Sequence, residues 1–170
     1  MEIKKKLAAT LKEKPQDESK LGFGHIFTDH MLIMPYTAGQ GWHDPEIRPY
    51  GPIELSPASM CLHYGQTVFE GLKAYRTAEG KVQLFRPEEN FKRLNRSNER
   101  LVIPELPVDL AMQCLMALLE VEKDWVPHQE GASLYIRPFI IAADPYLGVR
   151  PADQYYFMII LSPSGAYYES

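Results

Sequence analysis

"SLYIRPFIIAA", residues 133–143, is the stretch whose alternation decides the fold. In an extended strand successive side chains leave opposite faces. Leu134, Ile136, Ile140 and Ala142 then share one wholly apolar face, suited to packing under helices. Tyr135, Arg137, Phe139 and Ile141 share the other. A guanidinium among aromatic rings, opposite a clean core face, must meet water, an acidic side chain or an anionic ligand. Arg137 can grip a carboxylate through two parallel hydrogen bonds. A surface ion pair with one of the 22 acidic residues would answer the same need. The strand alone leaves both open.

Working outward, "QYYFMIILS" (154–162) reads as a second strand, after a turn at Asp144 and Pro145. Two helices precede the pair. "RPEENFKRLNRSNERL" (86–101) has Pro87 where a first helical turn tolerates it, with Glu88 and Glu89 near the positive end of the dipole. Phe91, Leu94 and Leu101 are expected to line its buried face. "VDLAMQCLMALLEVEKDWV" (108–126) has a broad apolar face with Ala111, Leu115, Leu118 and Trp125. Further upstream, "LHYGQTVFEGLKAY" (62–75) supplies a turn at Gly65 and a strand through "GLKAYRT". "AEGK" then turns the chain and "VQLFR" returns it as a hairpin. "HMLIMPY" (30–36) reads as a buried strand and "AGQGWHDPE" (38–46) as a long turn. "IRPYGPIEL" (47–55), interrupted three times by Pro or Gly, suits an irregular or edge strand. Strands, a helical pair, then more strands predict an α+β fold: an antiparallel sheet with helices packed on one face.

Residues 1–20 read as a lead segment, a short amphipathic helix carrying Ile3, Leu7 and Leu11 followed by a linker, with the domain running over 21–170. The chain has 170 residues, 45% of them hydrophobic and 24% charged, which suits one globular domain. A net charge of −4 argues against a nucleic-acid partner. No apolar run approaches the roughly 18 residues of a membrane helix, and the N-terminus lacks the features of a signal peptide. Cys61 and Cys114 share no metal-like spacing and read as reduced thiols of a cytoplasmic protein. The histidines form no H-x-x-x-H pair, so no metal is expected. "GFGHIF" lacks the third glycine and the preceding strand of a dinucleotide loop, and no G-x-S-x-G elbow is present.

Two charged residues invite chemistry. Lys73 lies near Phe69 and Tyr75, but it alternates with Leu72 and Ala74 and so belongs on a wet strand face. Arg93, Arg96 and Arg100 share one face of the first long helix, either as a solvated surface or as an anion site. Glu89 stands four residues before Arg93, an ordinary surface pair.

The blocks "FGHIFTDHMLIM", "GWHDPEIRPYGPIELSPASMCLHYGQTVFEGLKAYR", "LFRPEENFKRLNRSNERL", "EKDWVP", "SLYIRPFIIAADPYLGVRP" and "LSPSGAYY" together resemble the branched-chain amino acid aminotransferases. The resemblance runs from about Leu21 to the C-terminus. It implies the small N-terminal domain of a fold-type IV enzyme that uses pyridoxal 5'-phosphate to move the amino group of Leu, Ile or Val to 2-oxoglutarate. In that family the cofactor lysine and most of the phosphate cradle lie in a large C-terminal domain. Lys73 does not match the lysine, so no catalytic residue is expected here and the chain should be inactive alone. By the same resemblance Arg93 binds the cofactor phosphate. Phe23, Tyr64, Phe69, Tyr135, Arg137 and Tyr167 line the substrate pocket, and Leu147 and Val149 reach into the partner subunit's pocket of a homodimer. The competing expectations are a D-amino acid aminotransferase or aminodeoxychorismate lyase relative, and a stand-alone binding module without catalysis.

Overall fold

The computed structural model describes residues 1–166. In chain order its elements are β1 (Lys4–Lys5), β2 (His30–Thr37), β3 (Gly41–Trp42), β4 (Glu46–Pro49), α1 (Cys61–Tyr64), β5 (Thr67–Phe69), β6 (Leu72–Arg76), β7 (Val82–Leu84), α2 (Pro87–Arg100), α3 (Val108–Glu122), β8 (Ser133–Ala142) and β9 (Gln154–Ser164). The strands form one sheet in the order β1-β4-β2-β9-β8-β6-β7, with β3 added to β2 and β5 to β8. All pairings are antiparallel except the short one between β1 and β4. The expected α+β class is what the chain adopts.

The alternation in β8 works as its residues demand. Leu134, Ile136, Ile140 and Ala142 are buried with Phe91, Leu94, Leu115 and Leu118 of the two long helices. The opposite face carries a smaller cluster, Met31, Ile33 and Met158, with Phe139, Tyr156 and Ile160 packed beside it. Helices therefore seal one side of the sheet and leave β8's Tyr135–Arg137 side uncovered by them.

The pairing along β8 is interrupted once. Phe69 stands across from Phe139 and Leu72 across from Ile136, so β5 and β6 keep a single register against β8. Between them Glu70 donates its N–H to the carbonyl of Pro138, 2.9 Å away. Pro138 has no N–H to return, and the ladder opens there. The missing donor splits one strand into two at Glu70–Gly71.

Three expectations change. Residues 1–14 form no helix. Lys4 and Lys6 donate to the carbonyls of Pro45 and Ile47, so the segment runs as an extended strap along β4. A short isolated helix with three apolar residues is marginal, whereas an open sheet edge offers ready hydrogen-bond partners. For the same reason β4 is not an edge. Leu101, just past the end of α2, is exposed, and Asn98 takes the buried position after Phe91 and Leu94.

The strap is fastened by a buried polar network that periodicity does not announce. Glu122 accepts from the Asp29 N–H at 2.9 Å and from His30 Nδ1. His30 Nε2 accepts from the Ala8 N–H at 2.9 Å, which assigns the ring proton to Nδ1. Asp29 accepts from the Lys12 N–H at 2.7 Å and from Trp125 Nε1 at 2.8 Å.

Cys114 lies in the core and Cys61 is half-buried. Burial pushes the Cys114 thiol from 9.0 up to about 12. Between those values the unfolded chain releases the proton and the folded chain keeps it, so this thiol makes stability fall as pH rises through that window. At pH 8 an aromatic disulfide reagent is expected to label Cys61 and to reach Cys114 only after denaturation. Equal labelling of both in the native state would contradict the packing of α3.

Candidate substrate face and anion corner

Register sets the geometry on the face of β8 turned away from the helices. Because β5 and β6 share one register, Gly71 stands opposite Arg137, with Phe69 and Lys73 on the same face as Tyr135 and Phe139. Glycine at position 71 leaves room for the Tyr135 hydroxyl, which a Cβ there would force to shift. The Tyr135 hydroxyl lies close over the strand there and accepts from Arg137 Nη2 at 2.8 Å. The Arg137 guanidinium sits 4.4 Å from the Phe69 ring centre and 5.4 Å from that of Tyr135. Phe23 meets Tyr135 edge-on at 5.0 Å. Arg137 makes no ion pair among the described residues, and its buried Nε has no hydrogen-bond partner there. Among the described residues the surface ion pair left open by the strand pattern does not form, and a cation held by aromatic rings keeps an unanswered donor.

Tyr64 ends the single turn of α1, closed by Gly65 at φ 63°. Its hydroxyl donates to the carbonyl of Leu147, joining this wall to the loop between β8 and β9. That loop is braced by Arg150, which donates to Asp144 and Asp153 at 2.8 Å each and lies 4.2 Å from the Tyr146 ring centre. Leu147 and Val149 project from it, 63% and 87% exposed.

Arg93 lies on the helix side of the sheet. Val68, Glu70, Leu72 and Ala74 alternate along β5–β6 as its buried row, so a carboxylate occupies an apolar position. Arg93 answers it from α2, with Nε and Nη2 at 2.6 and 2.7 Å from the two carboxylate oxygens. Asn90 adds a bond at 3.3 Å. Burial pushes the Glu70 carboxyl up, but hydrogen bonds from Arg93 and Asn90 and the charge of Arg93 hold it below the usual carboxylate range. Glu89 turns to Lys92 instead, at 3.0 Å, so the surface pair foreseen for Arg93 does not form. Arg86, Arg93 and Arg96 border an open hollow of about 300 Å³ with Phe85, Glu89 and Asn90.

Thus Phe23, Phe69, Tyr135 and Arg137 come together, Tyr64 joins the Leu147–Val149 loop, and Arg93 stands apart with Glu70. Tyr167 lies outside the described residues. The sequence pattern assigned no role to Glu70, although a carboxylate inside an apolar row was the available signal. Among the described residues no cluster could hold a metal ion, and no helix is long and apolar enough to cross a membrane.

This chain is 57% identical over 166 residues to branched-chain-amino-acid transaminase 1 of Bacillus subtilis (strain 168), covering 98% of itself and 46% of that protein. The probable branched-chain-amino-acid aminotransferase of Staphylococcus epidermidis (strain ATCC 12228 / FDA PCI 1200) is 58% identical over 159 residues, with 94% and 44% covered. This chain corresponds to a part of the branched-chain amino acid aminotransferases. It spans about half the length of the curated relatives it matches. No protein-family model matches it. Among solved structures, the T.th. branched-chain amino acid aminotransferase with pyridoxamine 5'-phosphate superposes with a TM-score of 0.60 at 27% identity, covering 82% of this chain and 41% of that one. The same enzyme complexed with N-(5'-phosphopyridoxyl)-L-glutamate gives 0.59 at 28% identity, with 81% and 41% covered. The mostly antiparallel sheet is that of the fold-type IV aminotransferases.

Proposed function

We propose that this chain supplies the small domain of a pyridoxal phosphate-dependent aminotransferase that passes the amino group of leucine, isoleucine or valine to 2-oxoglutarate. The observation that carries this reading is Arg137, held over Phe69, bonded to Tyr135 and, among the described residues, without a partner for its buried Nε. One pocket must take both an apolar branched side chain and a carboxylate. The rings of Phe23, Phe69 and Tyr135 offer apolar surface to methyl groups, and Arg137 offers a charge-assisted grip to the distal carboxylate of glutamate or 2-oxoglutarate. With an apolar substrate, Arg137 keeps its aromatic and tyrosine contacts, so the same walls serve both halves of the reaction.

The residues around Arg93 fit a phosphate. Its contacts with Glu70 leave the outer N–H groups of the fork unused by that pair, and Arg86 and Arg96 border the same hollow. Arg93 would therefore hold the cofactor's phosphate through charge-assisted bonds. When bound, pyridoxal phosphate supplies the electron sink that stabilises negative charge at the substrate α-carbon. Tyr167 would line the pocket near the passage to the other domain. Leu147 and Val149 would insert into the pocket of a second copy, so that the cytoplasmic enzyme works as a homodimer. Large apolar side chains on a braced loop suit such a role.

No residue of this chain takes the role of the catalytic lysine, so residues 1–170 alone form no glutamate. The full-length enzyme is expected to convert leucine and 2-oxoglutarate into 4-methyl-2-oxopentanoate and glutamate, while residues 1–170 with pyridoxal phosphate produce neither. Turnover by residues 1–170, or a lasting change in the cofactor's absorbance that vanishes in Lys73→Ala, would overturn this reading.

A further inference from the structure

The Glu70–Arg93 pair is lopsided, and the imbalance suggests a purpose. Glu70 is 5% exposed and Arg93 60%. A carboxylate set in the apolar row of Val68, Leu72 and Ala74 costs free energy to dehydrate, and a partner so wet and screened returns little. An apolar residue would serve the fold at least as well. What the carboxylate does provide is orientation. It engages one edge of the guanidinium, Nε and Nη2, at two points, which fixes the plane of the fork. Of five N–H donors this uses two. The other Nη2 hydrogen and both Nη1 hydrogens lie on the remaining edges.

We infer that Glu70 is a positioning residue for anion recognition, its buried carboxylate holding Arg93 by the inner edge so that the outer edge is set for a phosphate. This rests on the reading of Arg93 as the phosphate-binding arginine. Rotamer freedom that a free arginine would lose on meeting the anion is already surrendered. Asn90, one helical turn before Arg93, donates to the same carboxylate and steadies it. The negative charge of Glu70 also opposes an incoming anion. Because it contacts the opposite edge of a group that stays fully ionised, the gain from orientation outweighs that repulsion.

The test titrates the cofactor-free full-length enzyme with pyridoxal phosphate and, separately, with pyridoxal, which lacks the phosphate. Arg93→Gln is expected to weaken pyridoxal phosphate about 100-fold and Glu70→Gln about 10-fold, with pyridoxal affinity unchanged in both. The double variant should bind no more weakly than Arg93→Gln alone, since Glu70 acts only through Arg93. Glu70→Asp keeps the charge but shortens the arm, and should show the same phosphate-selective loss if Glu70→Gln does not fold. Equal losses for pyridoxal and its phosphate, a full additive loss in the double variant, or tighter binding by Glu70→Gln would each overturn the inference. Unchanged affinity in Arg93→Gln would instead remove the reading of Arg93, and the inference with it.

Discussion

Replacing Arg137 with methionine in the full-length enzyme is expected to lower kcat/KM for 2-oxoglutarate about 100-fold and that for leucine by less than about threefold. Methionine keeps an unbranched stem of similar reach between Phe69 and Tyr135, so the aromatic walls retain a packing partner. What disappears is the guanidinium that these rings hold, a group suited to a carboxylate. Rates of the two half-reactions, measured separately, read the difference. Similar losses for both substrates would mean that Arg137 shapes the pocket without recognising the charged substrate.

The second large effect concerns stability. Glu122→Ala is expected to destabilise the protein by about 3–5 kcal/mol, because it strands the buried His30 Nδ1–H and Asp29 N–H together. Glu122 is 2% exposed, so water cannot readily take its place. Glu122→Gln retains one acceptor and should fall between wild type and Glu122→Ala. Urea unfolding gives the order. Limited proteolysis should also show residues 1–14 opening first in both variants, since His30 and Asp29 hold Ala8 and Lys12. A cost below about 1 kcal/mol for Glu122→Ala would mean that the network does not fasten the strap.

Period-two and helical patterns were enough to find the sheet and both long helices, because burial writes itself into alternation. Leu134, Ile136 and Ile140 on one face of β8, and Ala111, Leu115 and Leu118 on α3, are instances. The same logic failed at the N-terminus. There Ile3, Leu7 and Leu11 kept helical spacing, but the edge of β4 offered backbone partners that a short helix could not match. It also missed Asn98 in α2 and the Asp29–His30–Glu122 network, because polar groups buried by mutual satisfaction leave no apolar signature.

At the candidate site, alternation put Tyr135 and Arg137 on one face, and the register of β5 and β6 added Phe69. The importance of Gly71 depends on where the Tyr135 hydroxyl falls in space, and sequence carries no such distance. Glu70 was more legible than its neighbours made it look. A lone carboxylate between Val68 and Leu72 already implied a buried charge in search of a cation, but the partner, Arg93, lies 23 residues away. Only the packing of α2 against β5–β6 identifies it.

The most direct test is a crystal structure of the full-length enzyme with glutamate in its pocket. The Arg137 guanidinium is expected within about 3 Å of the substrate's side-chain carboxylate, with Phe69 and Tyr135 flanking it. A carboxylate held by other groups, with Arg137 still unpaired over Phe69, would contradict the role assigned to this face of the sheet.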